Sequence, residues 1–136
     1  MLEILQINTL GQGLTEVTGQ IEGLVNAKVT GNGLCTLFIQ HTSASLLIQE
    51  NADPDARRDL EQWMNRLVPE NDPIYTHTQE GPDDMPAHIK SMLTQSSLSI
   101  PVINGRLGLG SWQGIFLWEH RASHYRRNLL VHLHKD

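Results

Sequence analysis

Apolar and polar residues nearly alternate over Leu2-Glu3-Ile4-Leu5-Gln6-Ile7, which predicts a strand. Gly11 and Gly13 mark a turn. Ile21, Leu24, Val25 and Val29 then follow helical spacing, with Thr18 placed to cap the start and Gly31 to end the element. Leu34 to Gln40 reads as a strand that is apolar on both sides, hence central, with Cys35, Leu37, Ile39 and His41 in one phase. Ser45-Leu46-Leu47-Ile48 is a second short strand or a continuation of this one after a kink. Asp53-Pro54 opens the clearest helix, whose stripe Ala56, Leu60, Trp63, Met64 and Leu67 lies opposite Arg57, Glu61 and Asn65 and which Pro69 stops.

A polar loop runs from Glu70 to Asp84, and its length of about 15 residues is a functional hint, because unstructured loops of that size are uncommon in small domains. Asp84-Met85-Pro86 opens a short helix with Met85, Ile89 and Met92 on one side and His88 on its flank. From Ser97 the pattern turns to β. Ser97 to Ile103, the Asn104-Gly105 turn and Arg106 to Leu109 form a hairpin, followed by strands Gly114 to Arg121 and Arg126 to His134. Ile115, Phe116, Leu117 and Trp118 are apolar on both faces, so that strand is central too, and His120 follows Phe116 and Trp118 on one face. These elements predict an α+β fold: one compact domain over 1–136, with mostly antiparallel mixed β-sheets and about three helices.

Composition narrows the function classes. The chain has 136 residues, 39% hydrophobic and 18% charged, which suits one globular domain and not a disordered tail. No apolar run approaches the roughly 20 residues of a membrane span, and the start lacks a signal peptide's basic region. The balance of 10 Lys+Arg against 15 Asp+Glu argues against a nucleic-acid partner. Cys35 is the lone cysteine, so disulfides within the chain and thiolate zinc fingers are excluded, and a cytoplasmic setting is expected.

Histidine is the residue with chemistry to place: His41, His77, His88, His120, His124, His132 and His134. None sits in a local metal motif, so a site built from them must converge in space. Three have suggestive flanks: His77 in Tyr75-Thr76-His77, His88 after Asp83-Asp84, and His120 after Glu119. The acids could orient a ligand imidazole, although Asp84 serves equally well as a helix cap. His132 and His134 alternate onto the side opposite Leu129, Val131 and Leu133 and face solvent, and His124 lies in a turn. His41-Thr42-Ser43-Ala44-Ser45 through Asp53 gathers hydroxyls, an amide and acids about a strand end and a helix start. Asn51 and Ser43 with the helix amides suit a phosphate there, against the plain reading in which Asp53 caps and Ser43 turns the chain. Arg121, with Arg126 and Arg127, is either a solvated strand end or a phosphate contact beside His120. The glycines of Gly108-Leu109-Gly110-Ser111-Trp112-Gln113-Gly114 do not fit a nucleotide loop.

Four blocks taken together carry a resemblance: His41-Thr42-Ser43-Ala44-Ser45; Glu50-Asn51-Ala52-Asp53-Pro54-Asp55; His77 with Glu80-Gly81-Pro82-Asp83-Asp84-Met85-Pro86-Ala87-His88-Ile89-Lys90; and Leu109-Gly110-Ser111-Trp112-Gln113-Gly114-Ile115 to Glu119-His120-Arg121. In this order and over nearly the whole chain, the sequence resembles the secondary thiamine-phosphate synthase family, the YjbQ-like proteins. Ser43 stands where that family can have Thr, which keeps the hydroxyl. The resemblance implies an α+β trimer with a pocket near the subunit contacts and a histidine-held metal, zinc, with magnesium the alternative where a diphosphate is the substrate. It assigns His77, His88 and His120 as ligands and His41 as a fourth ligand or an acid–base group. The implied activity is weak thiamine-phosphate synthesis, in which a pyrimidine methyl diphosphate joins a thiazole phosphate and pyrophosphate leaves. Ser43, Asn51 and Asp53 are then expected to position phosphate or a metal-bound water, and Arg121 and Lys90 to meet the developing charge. Two other functions compete: a non-catalytic trimer that binds a metal or ligand, and a metal-dependent phosphoester hydrolase.

Overall fold

A computed structural model describes residues 1–136 as eight strands and three helices: β1 (Leu2–Thr9), β2 (Gly13–Glu16), α1 (Thr18–Lys28), β3 (Gly33–Ile39), β4 (Ala44–Glu50), α2 (Pro54–Leu67), α3 (Asp84–Leu93), β5 (Ser97–Ile103), β6 (Arg106–Leu107), β7 (Gln113–Glu119) and β8 (Tyr125–Lys135). The strands form a five-stranded sheet in the order β1-β8-β3-β5-β6 and a three-stranded sheet in the order β2-β7-β4. Every pairing is antiparallel, which accords with the α+β expectation.

Alternation decides what lies between the sheets. Cys35, Leu37 and Ile39 of β3, Leu129, Val131 and Leu133 of β8 and Ile115 and Leu117 of β7 point into one apolar core, which Ile21 and Val25 of α1 complete. On the other face of the smaller sheet, Phe116 and Trp118 pack with Leu14, Met64 and Val68 beneath α2 and α3. β3 and β7 are both central, as their two-sided apolar pattern requires. The outer face of the larger sheet has no helix over it and exposes Leu2, Ile4, Leu34 and Phe38. No helix is long and apolar enough to cross a membrane.

The structure departs from the sequence reading in four places, each for a physical reason. The segment expected only to turn holds β2, whose four residues begin at Gly13, where an added Cβ would collide with the Glu61 carboxylate. Thr18 is not the cap of α1: Val17 is, while the Thr18 hydroxyl accepts from the Ile115 amide at 2.8 Å and so ties the helix to β7. α2 is turned relative to its apolar stripe. Arg57 lies 5.0 Å over the Phe116 ring and Glu61 faces β2, so Trp63 and Leu67 are left exposed. In α3 the buried positions are Asp84, Pro86, Ala87 and Lys90, and Met92 is exposed. That helix turns polar groups inward, so its role is to present them. The Asn104-Gly105 turn forms as expected, with φ of 50° and 77° at its two residues, as a two-residue hairpin turn demands.

Candidate metal centre

α3 and the loop before it bring three groups to one point. Asp84, at the first turn of the helix, and His88, one turn later, share a face because residues four apart do so on a helix. His77 reaches the same carboxylate from the loop. Its Nε2 is 2.6 Å from Asp84 Oδ2, and His88 Nε2 is 3.1 Å from that oxygen. The three ligand atoms lie within 4.8 Å of one another, close enough to share one ion. The Asp84 side chain is 3% exposed, whereas those of His77 and His88 are 46% and 33% exposed, so the centre opens to solvent on its imidazole side.

The polarity of His88 decides what this arrangement can hold. His88 Nδ1 lies 3.2 Å from the Thr42 carbonyl, which can only accept, so Nδ1 carries a proton. In a neutral ring Nε2 then has a bare lone pair aimed at a carboxylate oxygen. Two acceptors at this distance repel unless a cation, a proton or a metal ion, lies between them. A histidine that donates its second nitrogen to a backbone carbonyl is also the usual way a ligand imidazole is oriented.

Arg121 holds the other side of the carboxylate. Its guanidinium is 2.8 Å from Asp84 Oδ1, donates to Asp83 Oδ2 at 2.9 Å, and donates to the Glu80 carbonyl at 2.9 Å. Burial raises the Asp84 carboxyl, but the His77 hydrogen bond and the Arg121 and His88 charges outweigh it and hold the group below the usual carboxylate range. Asp83 is lowered in the same way, burial being overcome by hydrogen bonds from Arg121 and the Ala122 amide.

The other expected site residues are dispersed. His120, expected as a ligand with His77 and His88, does not join them: its Nε2 is 2.8 Å from Ser45 Oγ and its ring lies against Trp118. It keeps the phase of Phe116 and Trp118 on β7, but that face turns toward α2 and α3. Burial first, then the Lys90 and Arg127 charges, push its pKa down to about 3. Lys90 is buried and donates to Asn65 Oδ1 at 2.6 Å. Arg121, expected to meet phosphate, is committed to carboxylates. Asn51 donates to Glu16 Oε2 and Asp53 caps α2 by accepting from the Asp55 amide. Both stand beyond the far end of β4 from Ser43, a strand whose seven residues span about 20 Å, so within one chain they do not meet the histidines. His41 and Ser43 do adjoin the centre: an open groove of about 750 Å³ is lined by Phe38, His41, Thr42, His88, Ser91 and Met92 among others. His41 is lowered by burial and by the Arg127, Arg121 and His88 charges, against the opposing pull of Glu119.

Two further groups have signals in the sequence. Asp84 and His88 at a spacing of four on a helix mark a shared face, which makes Asp84 a ligand candidate beyond the cap or orienting acid expected of it. Glu119 falls in the inward phase with Ile115 and Leu117, and Arg127 in the inward phase with Leu129 and Val131. Charges in a core phase must pair, and these do, with Arg127 Nε 2.7 Å from Glu119 Oε1.

Comparison with known proteins places this geometry in a family. The model of the UPF0047, YjbQ-like proteins matches residues 3–136. UPF0047 protein sll1880 of Synechocystis is 53% identical over 96% of this chain and 89% of its own length. YjbQ of Escherichia coli O157:H7 is 43% identical over 95% of this chain and 94% of its own. The crystal structure of the conserved hypothetical protein TT1486 from Thermus thermophilus superposes with a TM-score of 0.86 at 34% identity, covering 96% of this chain and 98% of that one. A YjbQ-like protein of Sulfolobus solfataricus shares the fold, with a TM-score of 0.87 at 21% identity over 100% of this chain and 99% of that one. The chain belongs to the UPF0047, YjbQ-like family.

His120 gives a test by pH. Its folded pKa lies below the unfolded value, so the unfolded chain binds the extra proton and stability falls as pH drops from 6.5 toward 3. His120→Gln should flatten the dependence of unfolding free energy on pH in that window by up to about 1.4 kcal/mol per pH unit, measured by denaturant titration at several pH values. An unchanged slope would mean that the ring is not held neutral.

Proposed function

We propose that this protein is a metal-dependent enzyme acting on a small phosphorylated substrate, with His77, Asp84 and His88 as the ligands. The observation that supports it most is His88 Nε2 facing Asp84 Oδ2 across 3.1 Å while Nδ1 faces the Thr42 carbonyl, an arrangement that a cation between nitrogen and carboxylate satisfies. Two imidazoles and one carboxylate suit zinc with a position left open, and suit magnesium poorly, since it prefers oxygen ligands. A divalent ion there supplies Lewis acidity to a phosphoryl oxygen.

The residues divide the remaining work. Arg121 fixes the carboxylate, the Thr42 carbonyl fixes the His88 ring, and His41 with the hydroxyls of Ser91 and Thr42 lines the groove beside them. The reaction we assign is thiamine-phosphate formation, in which a thiazole phosphate bonds to the methyl carbon of a pyrimidine methyl diphosphate as the bond from that carbon to diphosphate breaks and pyrophosphate leaves. Phosphoester hydrolysis is the competing reaction at the same centre. A cytoplasmic setting goes with this reading. The buried thiol of Cys35 has its pKa pushed up to about 11 by burial and stays inert.

The uncovered sheet face supports the trimer. Leu2, Ile4 and Phe38 are each about half exposed on strands of one sheet, a large apolar surface for a lone chain, and Phe38 also lines the groove. Subunit contact there sets the groove at an interface.

Both parts are open to test. Purified protein should carry stoichiometric zinc and form thiamine phosphate. His77→Ala, His88→Ala and Asp84→Asn should lose the ion and the activity, and Arg121→Met should weaken metal affinity by about 10- to 100-fold. Folded, metal-free variants with full turnover would refute the assignment. Tight metal without turnover on diphosphates or phosphoesters would establish the non-catalytic binding role instead. Sedimentation should show a trimer that Ile4→Asp with Phe38→Asp converts to monomer; a monomeric wild type would remove the interface.

A further inference from the structure

A chain of buried polar groups ends at the groove. Glu119 and Arg127 are 0% and 2% exposed, and Glu119 accepts from the Thr9 hydroxyl at 2.6 Å and from both Nε and Nη2 of Arg127. The same Nη2 is 3.1 Å from Ser43 Oγ, and that oxygen is 2.9 Å from His41 Nδ1. The Ser43 backbone N–H donates to Nδ1 as well, at 3.1 Å.

Direction follows from donor chemistry. A guanidinium has no acceptor, so Ser43 Oγ accepts from Arg127 and its own proton turns toward His41. Nδ1 thus receives two donors and must be bare. The neutral ring then carries its proton on Nε2, for which no protein acceptor is present. The groove that His41 lines holds the hydroxyls of Thr42, Ser91 and Ser96, the Gln40 amide and His88, and no carboxylate. In a chain of 15 acidic against 10 basic residues, a lining free of acids favours an anion.

We propose that the Glu119–Arg127–Ser43 chain makes His41 a fixed hydrogen-bond donor through Nε2–H, and that the groove is an oxyanion site for a phosphoryl group. His41 donates a hydrogen bond, not a proton, since a neutral imidazole that gave one up would be left as an anion. Arg127 and Glu119 are positioning residues that act through Ser43. The inference rests on the proposed function only in treating this groove as the substrate site, and it holds for the metal-free protein.

The experiment uses chelator-treated, ¹⁵N-labelled protein and inorganic phosphate as the probe. Long-range proton–nitrogen spectra should show His41 with Nδ1 bare and Nε2 protonated, and phosphate should shift the Nε2 signals saturably. His41→Gln keeps an N–H near the Nε2 position and should retain binding within a few-fold, whereas His41→Asn should lose at least about tenfold. Glu119→Gln combined with Arg127→Met removes both buried charges at similar volume. It should move the His41 Nδ1 resonance, which the Ser43 backbone N–H alone then hydrogen-bonds, and weaken phosphate binding several-fold. If that pair does not fold, Ser43→Ala cuts the last link and carries the same expectation. A protonated Nδ1 in the wild type, the absence of a saturable phosphate shift, or equal losses in the Gln and Asn variants would overturn the donor assignment. A His41 Nδ1 resonance and a phosphate affinity unchanged by cutting the chain would overturn the positioning role. With the metal stripped away, these results stand apart from whether His77, Asp84 and His88 bind an ion.

Discussion

One buried carboxylate sets the terms for this site. Asp84 is 2% exposed, and a charge in that position is costly unless each oxygen finds a cation or a strong donor. Arg121 meets Oδ1, and the rings of His77 and His88 converge on Oδ2. Satisfying this one group brings together the loop before α3, the first two turns of α3 and the end of β7, although β7 lies far from the other two in the sequence. Breaking the Arg121 contact would leave an uncompensated buried charge and release the imidazoles with it.

Around that carboxylate the two sheets divide the labour. The inward face of β7 ends in Glu119, whose partner Arg127 comes from the neighbouring sheet, so a single buried ion pair ties the sheets together at the end where the groove opens. The outward face ends in His120, kept neutral among Ser45, Trp118 and Lys90. Two adjacent residues therefore serve opposite sides of the fold, and neither joins the cluster of His77, Asp84 and His88. The strand's alternation explains both. A ring in phase with Phe116 and Trp118 faces α2 and α3, while a carboxylate in phase with Leu117 faces the core.

The architecture is readable where periodicity is strong. β3, β7, β8, α2 and the Asn104-Gly105 hairpin follow from alternation, capping and turn chemistry. β2 does not, because four residues beginning with a glycine give too little pattern. The buried faces of α2 and α3 depart from hydropathy because tertiary contacts override it: Arg57 stacks on Phe116, Glu61 faces Gly13, and Lys90 goes inward to Asn65. At the site, the acidic and polar flanks of His77 and His88 point to two rings that do converge, and His41 adjoins them. His120, Asn51 and Asp53 share their chemistry but not their location. Spacing along the chain carries no information about which end of β4 or which side of β7 meets the loop before α3.

Everything proposed for the centre comes down to two imidazoles and one carboxylate sharing a single cation. X-ray absorption on the zinc-loaded protein tests that directly. The expected spectrum shows imidazole scattering from two rings and a first shell of nitrogen and oxygen at about 2.0–2.1 Å, with both rings lost in His77→Ala/His88→Ala. A shell of oxygen alone, or imidazole scattering that survives the double substitution, would contradict it.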